Sequence, residues 1–184
     1  MKILGGKFKS RNFYMPADIR PTQGVLRAAV FDILGHDLEG LSFLELYAGS
    51  GAMSLEAISR GAAKVVMVEH DSKNVQIIRE NCELLGIDLG GAFKLFEGDA
   101  LATTKRFDGN KEQFDIVFFD PPYGLKLAKK TLKVLKGSVI LAPRCFVVAQ
   151  YDRWDIPEIP EGFEVLTQRR YGTSYLMILQ KVNE

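Results

Sequence analysis

The sequence predicts an α/β fold, in which helices cover both faces of a mostly parallel sheet. Short apolar segments alternate with helix-like segments from about residue 41 onward, and several of the apolar segments end at glycine or acidic residues. Strands that alternate with helices are joined by crossovers, and this connection makes them parallel. The 184 residues fit a single domain over 1–184, in which 1–20 are expected to form a basic N-terminal hairpin extension.

The elements follow one another along the chain with clear boundaries. Thr22 is expected to cap a helix that ends near Leu34. Three more helices are predicted from apolar residues at helical spacing, over 52–60, 72–85 and 126–135. Five strands are predicted from apolar and β-branched runs, over 41–46, 64–68, 93–96, 114–119 and 146–148. The last two strands, 164–170 and 174–181, are expected to pair as an antiparallel hairpin that turns at Tyr171-Gly172.

Composition excludes several classes of protein. The apolar stretches are much shorter than the roughly 20 residues that cross a bilayer, and no long apolar leader opens the chain. We therefore expect a cytoplasmic protein without a membrane partner. Cys82 and Cys145 lack CxxC spacing and form no motif with His36 or His70. Reduced, buried cysteines and no metal site are expected.

Positive charge is concentrated near the N-terminus, although the net charge of the chain is only +1. Asp18 is the single acidic residue in the first 27 positions. The basic residues there are Lys2, Lys7, Lys9, Arg11, Arg20 and Arg27. A solvated surface and a phosphate-contacting arm both fit this pattern, because polyanions are bound largely through Lys and Arg.

Three successive strands end in residues that suit a nucleoside. The segment from Glu45 to Gly51 reads Glu-Leu-Tyr-Ala-Gly-Ser-Gly and leads from a strand into a helix. Alone, the segment is more typical of a tight strand-to-helix turn than of a ligand site. Glu69, roughly 20 residues further on, can accept hydrogen bonds from two ribose hydroxyls, and Asp99 can accept one from an adenine amine. Ligands of parallel sheets bind beyond the carboxyl ends of the strands, so the combination predicts a nucleoside pocket.

The tetrapeptide Asp120-Pro121-Pro122-Tyr123 follows a very apolar strand. The two prolines fix the backbone and donate no hydrogen bonds, so their carbonyls are available as acceptors. Asp120 and the Pro121 carbonyl can each accept one hydrogen of an exocyclic amine, while Tyr123 stacks on the base that carries it. The set predicts a site for a planar base with an amino group.

These motifs resemble those of class I methyltransferases that use S-adenosylmethionine to methylate exocyclic amines. Within that superfamily the chain resembles the RsmD family of bacterial 16S rRNA guanine-N2 methyltransferases. The family's opening pattern is matched by residues 2–11, and its later signatures by Arg20-Pro21-Thr22, Tyr47-Ala48-Gly49-Ser50-Gly51 and Tyr171-Gly172-Thr173. Gln150 stands where the family often has a glutamate, so no role is assigned to it.

The resemblance implies a Rossmann-like, seven-stranded sheet with one antiparallel strand and a small N-terminal β-hairpin. It also implies S-adenosylmethionine as cofactor and the N2 amine of a guanine in small-subunit rRNA, within an assembling 30S particle, as acceptor. The implied catalytic residues are Asp120, Pro121, Pro122 and Tyr123. The implied cofactor-binding residues are Glu45, Tyr47, Ala48, Gly49, Gly51, Glu69, Asp99 and Ala100. The expected RNA contacts are Lys7, Lys9, Arg11 and Arg20.

Other interpretations stay open at this stage. The same chemistry could act on adenine N6 in DNA or RNA, or on a protein amide. An RNA-binding assembly factor with a decayed pocket is a second possibility, although Glu69, Asp99 and Asp120 are intact. A nicotinamide dehydrogenase is disfavoured because the third glycine of the dinucleotide fingerprint is missing. We expect a monomer, because the sequence has no heptad pattern.

Overall fold

The computed structural model describes residues 1–16 and 24–182 of the chain. The helices are α1 (Gly24–Leu34), α2 (Ala52–Ser59), α3 (Ser72–Leu85), α4 (Ala100–Gly109) and α5 (Leu127–Lys136). The strands are β1 (Ser42–Leu46), β2 (Lys64–Glu69), β3 (Phe93–Glu97), β4 (Phe114–Phe119), β5 (Leu141–Asp152), β6 (Phe163–Tyr171) and β7 (Ser174–Lys181). Thr22, the expected cap of α1, lies outside the described residues.

The strands form one seven-stranded sheet in the order β3-β2-β1-β4-β5-β7-β6. The first five strands run parallel, and β7 is antiparallel to both of its neighbours, β5 and β6. The prediction of a Rossmann-like sheet with one antiparallel strand is therefore confirmed. The strand order reverses between β1 and β4, and such a switch point opens a crevice at the carboxyl ends of the strands.

Helices cover the sheet on both faces, as predicted. One apolar cluster packs α1, α2 and α3 against side chains such as Phe43, Met67 and Phe118. The other packs α4 and α5 against the opposite side chains of the same strands, including Val68 and Phe119. Because successive side chains of a strand point to opposite faces, the central strands are apolar along their whole length.

The structure differs from the predicted elements in two places. Helix α4 was not predicted, because its buried face uses Ala100, Thr104 and Phe107 in place of large aliphatic residues. Strand β5 has 12 residues, whereas only 146–148 were expected. Pro143 and Arg144, which has a positive φ of 61°, interrupt its first part, so its sequence does not resemble a continuous strand.

The N-terminal hairpin is smaller than predicted and is hydrogen-bonded to α2. Its two arms pair through a single β-bridge, Lys2 with Asn12, and no strand is formed in the described residues 1–16. The backbone amides of Leu4 and Gly5 donate to the buried carboxylate of Glu56 at 2.9 and 2.7 Å. At Gly6 a Cβ would lie 1.8 Å from the Ser59 carbonyl oxygen, so only glycine permits this contact.

Arg27 is not part of an exposed basic arm, and that expectation was wrong for this residue. Its side chain is 2% exposed, donates to the Lys2 carbonyl at 2.9 Å and lies 3.9 Å from Glu56. Burial lowers the pKa of its guanidinium, while the negative charges of Glu56 and Glu45 act in the opposite direction. Arg27 is therefore an internal residue that ties α1 to the N-terminal segment.

Both cysteines are free and buried, as expected, and burial raises the pKa of each thiol. Among the described helices, none has the length and apolar character that crossing a membrane requires.

Candidate active site

In the glycine-rich turn after β1, three residues adopt the left-handed backbone conformation. Tyr47, Gly49 and Gly51 have φ angles of 60°, 56° and 74°. A positive φ is strained for tyrosine, and such strain is concentrated at functional sites. The Tyr47 hydroxyl lies 2.9 Å from Thr131 Oγ1, and this contact links the turn to α5.

Gly51 has a structural role at the start of α2. It precedes α2 as its N-cap, and a Cβ there would meet Ile78 and Met67 in the core at 3.4 Å. Gly51 therefore allows the turn to pack on the core, and it is absent from the residues that line the cavity described below.

Glu69 ends β2 and closes the same turn. Its Oε2 accepts from the Gly49 amide at 2.7 Å, and its Oε1 accepts from the amides of His70 and Asp71, both at 2.9 Å. A carboxylate offers about four acceptor positions, and these three bonds leave about one. A ligand hydroxyl would share that position with the exposed His70 imidazole, whose Nδ1 lies 3.1 Å from Oε1. The sequence predicts that this carboxylate accepts hydrogen bonds from two ribose hydroxyls.

Glu45 is 3% exposed at the end of β1. Burial raises the pKa of its carboxyl to about 7, the hydrogen bonds with Ser54 and Met53 lower it, and the charge of Glu69 raises it further. The Ser54 amide donates to Glu45 Oε2 at 2.9 Å. An acid that titrates near neutral pH beside a cavity is typical of a functional site.

A cavity of about 360 Å³ lies at the switch point and joins most of the predicted residues. Of the predicted cofactor-binding residues, Glu45, Tyr47, Ala48, Gly49 and Glu69 line it. All four predicted catalytic residues, Asp120, Pro121, Pro122 and Tyr123, line the same cavity. Residues far apart in the chain therefore meet because β1 and β4 are neighbours in the sheet.

The loop that carries the tetrapeptide is held by β5 and β7. The hydroxyl of Tyr123 lies 2.7 Å from Ser174 Oγ, the first residue of β7, and the Gly124 amide donates to Asp152 Oδ2 at 3.2 Å. The Tyr123 side chain is 37% exposed, so part of its ring is accessible to a planar ligand.

Asp99 and Ala100 line a second, smaller cavity of about 130 Å³. This cavity shares Tyr47, His70 and Pro122 with the larger one, so the two are adjacent. Asp99 also caps α4, because its Oδ1 accepts from the Ala102 amide at 2.8 Å. The nucleoside site expected from the sequence is thus divided between two neighbouring cavities.

The three predicted RNA contacts that the structure describes, Lys7, Lys9 and Arg11, are not among the residues that line the cavity. Lys7, Lys9 and Arg11 are exposed, and Arg20 lies outside the described residues. Arg11 donates to the Leu84 carbonyl at 2.6 Å, at the carboxyl end of α3. That bond stabilises a helix end and leaves Lys7 and Lys9 as the more accessible cations of the segment.

The sequence left out several residues that line the larger cavity, among them Met15, Asn74 and Gln150. Met15 reaches it because the buried side chain of Asn81 bonds to the backbone of Tyr14 at 2.6 and 3.0 Å. Gln150 is 5% exposed, and its Oε1 has no hydrogen-bond partner in the described structure. Its position after four apolar residues of β5 could have indicated a polar residue near the carboxyl end of that strand.

Comparison with known proteins gives one family over almost the whole chain. The sequence profile of the family described as "Conserved hypothetical protein 95" matches residues 1–180. The Ribosomal RNA small subunit methyltransferase D of Escherichia coli K12 is 25% identical over 98% of this chain and 90% of its own length. The protein of the same name from Haemophilus influenzae is 27% identical over 94% of this chain and 89% of its own.

Solved structures share the fold. The hypothetical protein TTHA0928 of Thermus thermophilus is 30% identical, with a TM-score of 0.81 over 97% of this chain and 98% of its own. An RNA methyltransferase from Salinibacter ruber, solved with S-adenosyl-L-homocysteine, is 18% identical, with a TM-score of 0.65 over 90% of this chain and 95% of its own.

Proposed function

This chain belongs to the family described as Conserved hypothetical protein 95, and we propose that it transfers a methyl group from S-adenosylmethionine to the N2 amine of a guanine in small-subunit rRNA. The observation that carries the proposal is the shared cavity, which is lined both by the glycine-rich turn and by Asp120-Pro121-Pro122-Tyr123. Relatives over the whole chain are named as small-subunit rRNA methyltransferases, which supports the acceptor RNA.

The residues of the cavity fit the proposed cofactor. The backbone from Tyr47 to Gly49 would pack against it, Glu45 would lie near its methionine amine, and Glu69 would accept from a ribose hydroxyl. The adjacent smaller cavity offers the exposed Asp99 to an adenine amine. A related fold solved with S-adenosyl-L-homocysteine supports the same ligand class. When bound, the cofactor supplies an electrophilic methyl group on a sulfonium.

The Asp120-Pro121-Pro122-Tyr123 segment would hold and orient the base. Tyr123 stacks on it, and Asp120 with the Pro121 carbonyl accepts the two amine hydrogens. These bonds draw the nitrogen lone pair out of the ring system and toward the methyl donor. Alignment of the two reactants is worth about 7–11 kcal/mol and supplies most of the rate enhancement. Asp120 takes the proton that the nitrogen loses after it has been methylated.

The partner would be small-subunit rRNA in an assembling 30S particle, and the protein would act as a cytoplasmic, single-domain monomer. Lys7, Lys9 and Arg11 would contact phosphates together with Arg20. A guanine in a helix must leave its stack to reach the cavity, at a cost of a few kcal/mol. That cost is smaller for a base in a loop, which favours an unpaired or weakly paired target.

Methyl transfer tests the proposal directly. Labelled S-adenosylmethionine is offered with naked small-subunit rRNA and with small subunits that lack the modification, and the nucleosides of the product are analysed. We expect label in N2-methylguanosine. Label in another nucleoside would keep the reaction and overturn the acceptor, and bound cofactor without any label in RNA would overturn both.

The division of roles predicts separate effects on binding and on catalysis. The variant Asp120→Ala removes an acceptor of the amine, so methylation should fall by at least 100-fold while the affinity for S-adenosylmethionine stays within about threefold. Calorimetric titration with the cofactor and single-turnover methylation measure the two quantities. Loss of cofactor binding in this variant would assign Asp120 to the cofactor instead of the base.

A further inference from the structure

Gln150 carries a buried amide oxygen that the described protein does not use. The side chain is 5% exposed and lines the larger cavity, and Oε1 has no hydrogen-bond partner. Nearly all buried polar atoms in proteins are hydrogen-bonded, and an unpaired one is costly. Gln150 lines a ligand cavity, so a donor on the ligand is the partner that would satisfy this acceptor.

The register of the sheet places Gln150 beside the catalytic tetrapeptide. In the parallel pair of β4 and β5, Phe119 is opposite Ala149. The next residues are therefore neighbours: Asp120 directly follows β4, and Gln150 lies two residues before the end of β5. Such strands lie about 4.8 Å apart. Both side chains line the same cavity, so a base whose amine reaches Asp120 has its adjacent ring edge close to Gln150.

The other end of the Gln150 amide is oriented by the protein. Nε2 lies 3.5 Å from the Tyr123 hydroxyl and 3.5 Å from Ser174 Oγ, and these two hydroxyls are 2.7 Å apart. The NH2 group thus lies against the hydroxyl pair, and Oε1, at the other end of the amide, is the atom without a partner. The same pair positions the ring on which the base would stack.

We infer that Gln150 determines base specificity by accepting a hydrogen bond from the N1–H of guanine. This inference rests on the proposed function. Guanine has the N1–H donor directly beside its C2 amine, whereas the ring nitrogen beside the amine of adenine is an acceptor. The Gln150 carbonyl oxygen can therefore accept a hydrogen bond from guanine N1–H. With adenine, the same oxygen would face a ring nitrogen that is also an acceptor, and no hydrogen bond could form. Sites built to bond a polar group discriminate strongly against analogues that lack it.

The test compares guanine with 2-aminopurine at the methylated position of small-subunit rRNA. 2-Aminopurine keeps the C2 amine but has no hydrogen on N1. The ratio of kcat/KM for guanine to that for 2-aminopurine is measured for the wild type and for Gln150→Ala. We expect the substitution to lower this ratio at least tenfold, with unchanged affinity for S-adenosylmethionine.

Two further variants make the result specific. Gln150→Glu keeps an acceptor toward N1–H and should keep the preference for guanine. Gln168→Ala is the matched control, because the Gln168 amide also donates to a tyrosine hydroxyl, that of Tyr151 at 2.8 Å, but lies outside the cavity. Its ratio should equal that of the wild type.

Each other outcome overturns a defined statement. A ratio that Gln150→Ala leaves unchanged overturns the role of Gln150 while the methyltransferase assignment stands. A loss of guanine preference in Gln150→Glu means that the amide NH2 faces the base, which also overturns the inference. If wild-type enzyme forms no N2-methylguanosine, the proposed function fails and the inference falls with it.

Discussion

Glu45 is the residue in the site whose charge state depends most on burial. Its pKa near 7, against 4.5 for an exposed glutamate, means that the folded protein binds a proton that the unfolded chain releases. Stability is therefore lost as pH rises from about 4.5 to about 7, because the folded state binds more protons across that window. The shift corresponds to roughly 3 kcal/mol at most.

The variant Glu45→Gln should remove this pH dependence. Glutamine keeps an oxygen that can accept from the Ser54 amide but has no charge to bury. We expect it to stabilise the cofactor-free protein relative to wild type by more at pH 8 than at pH 5, with a difference of roughly 3 kcal/mol at most. Urea unfolding at both pH values measures this. An equal effect at the two values would contradict the burial argument.

Among the elements, α5 combines a buried face with a basic one. Ala128, Thr131, Leu132 and Leu135 are buried on one side. The exposed lysines are Lys129, Lys130, Lys133 and Lys136. At 100° per residue these four lysines fall within an arc of about 120° opposite the buried side. None of them forms an ion pair with another described residue.

This basic face begins close to the site. Asp155 caps α5 by accepting from the amides of Ala128 and Lys129 at 2.7 and 3.2 Å, and α5 starts four residues after Tyr123. Next to Asp155, Trp154 is 72% exposed, and the Arg153 guanidinium lies 4.4 Å from the centre of its ring. RNA that delivers a base to the cavity would therefore pass near a strip of cations and an exposed aromatic ring.

Neutralising the lysines of α5 should weaken RNA binding. We expect Lys129→Gln, Lys130→Gln and Lys133→Gln together to lower rRNA affinity and to reduce the slope of log affinity against log salt, by about 0.7–0.9 per lost phosphate contact. Fluorescence anisotropy over a salt series measures both.

The control removes three exposed lysines elsewhere, Lys94, Lys105 and Lys111, for the same change in net charge. Equal losses in the two triple variants would mean that total charge, and not this helix, governs binding.

At the scale of the whole molecule, the N-terminal segment is a wall of the site and not a detached arm. Glu56, with 0% exposure, accepts from Leu4 and Gly5 and from the Arg60 guanidinium, so one carboxylate joins this segment to α2. Asn81 of α3 then holds Tyr14 and also donates to the Ser50 carbonyl at 3.3 Å. The next residue, Met15, lines the cavity.

Breaking this junction should cost much of the stability. The variant Glu56→Ala leaves the buried Arg27 and Arg60 without their carboxylate partner, and we expect a loss of roughly 3–5 kcal/mol in the free energy of unfolding. Glu83→Ala on exposed α3 surface is the control and should change stability by less than about 0.5 kcal/mol. Chemical denaturation checks both. A small effect at Glu56 would mean that the N-terminal segment packs independently of this contact.

Local patterns determined the elements and most of the site. Helix α3 could be predicted to its ends because Asp71 caps it and Gly86 terminates it in the left-handed conformation. Asp120, Glu69 and Gly49 were identified because they end apolar strands, and the strand ends of a parallel sheet share one edge. Capping, periodicity and strand ends are properties of neighbouring residues, so a single sequence contains them.

Only the tertiary structure decided what depends on distant segments. Gln150 lines the cavity because β5 pairs with β4. Arg27 is buried beside Glu56, a residue 29 positions further along the chain that only folding brings near it. Helix α4 packs on the sheet through Ala100, Thr104 and Phe107, a set that does not form an obvious apolar stripe in the sequence. Burial, register and the pairing of buried charges depend on which segments meet, and that is a property of the folded chain.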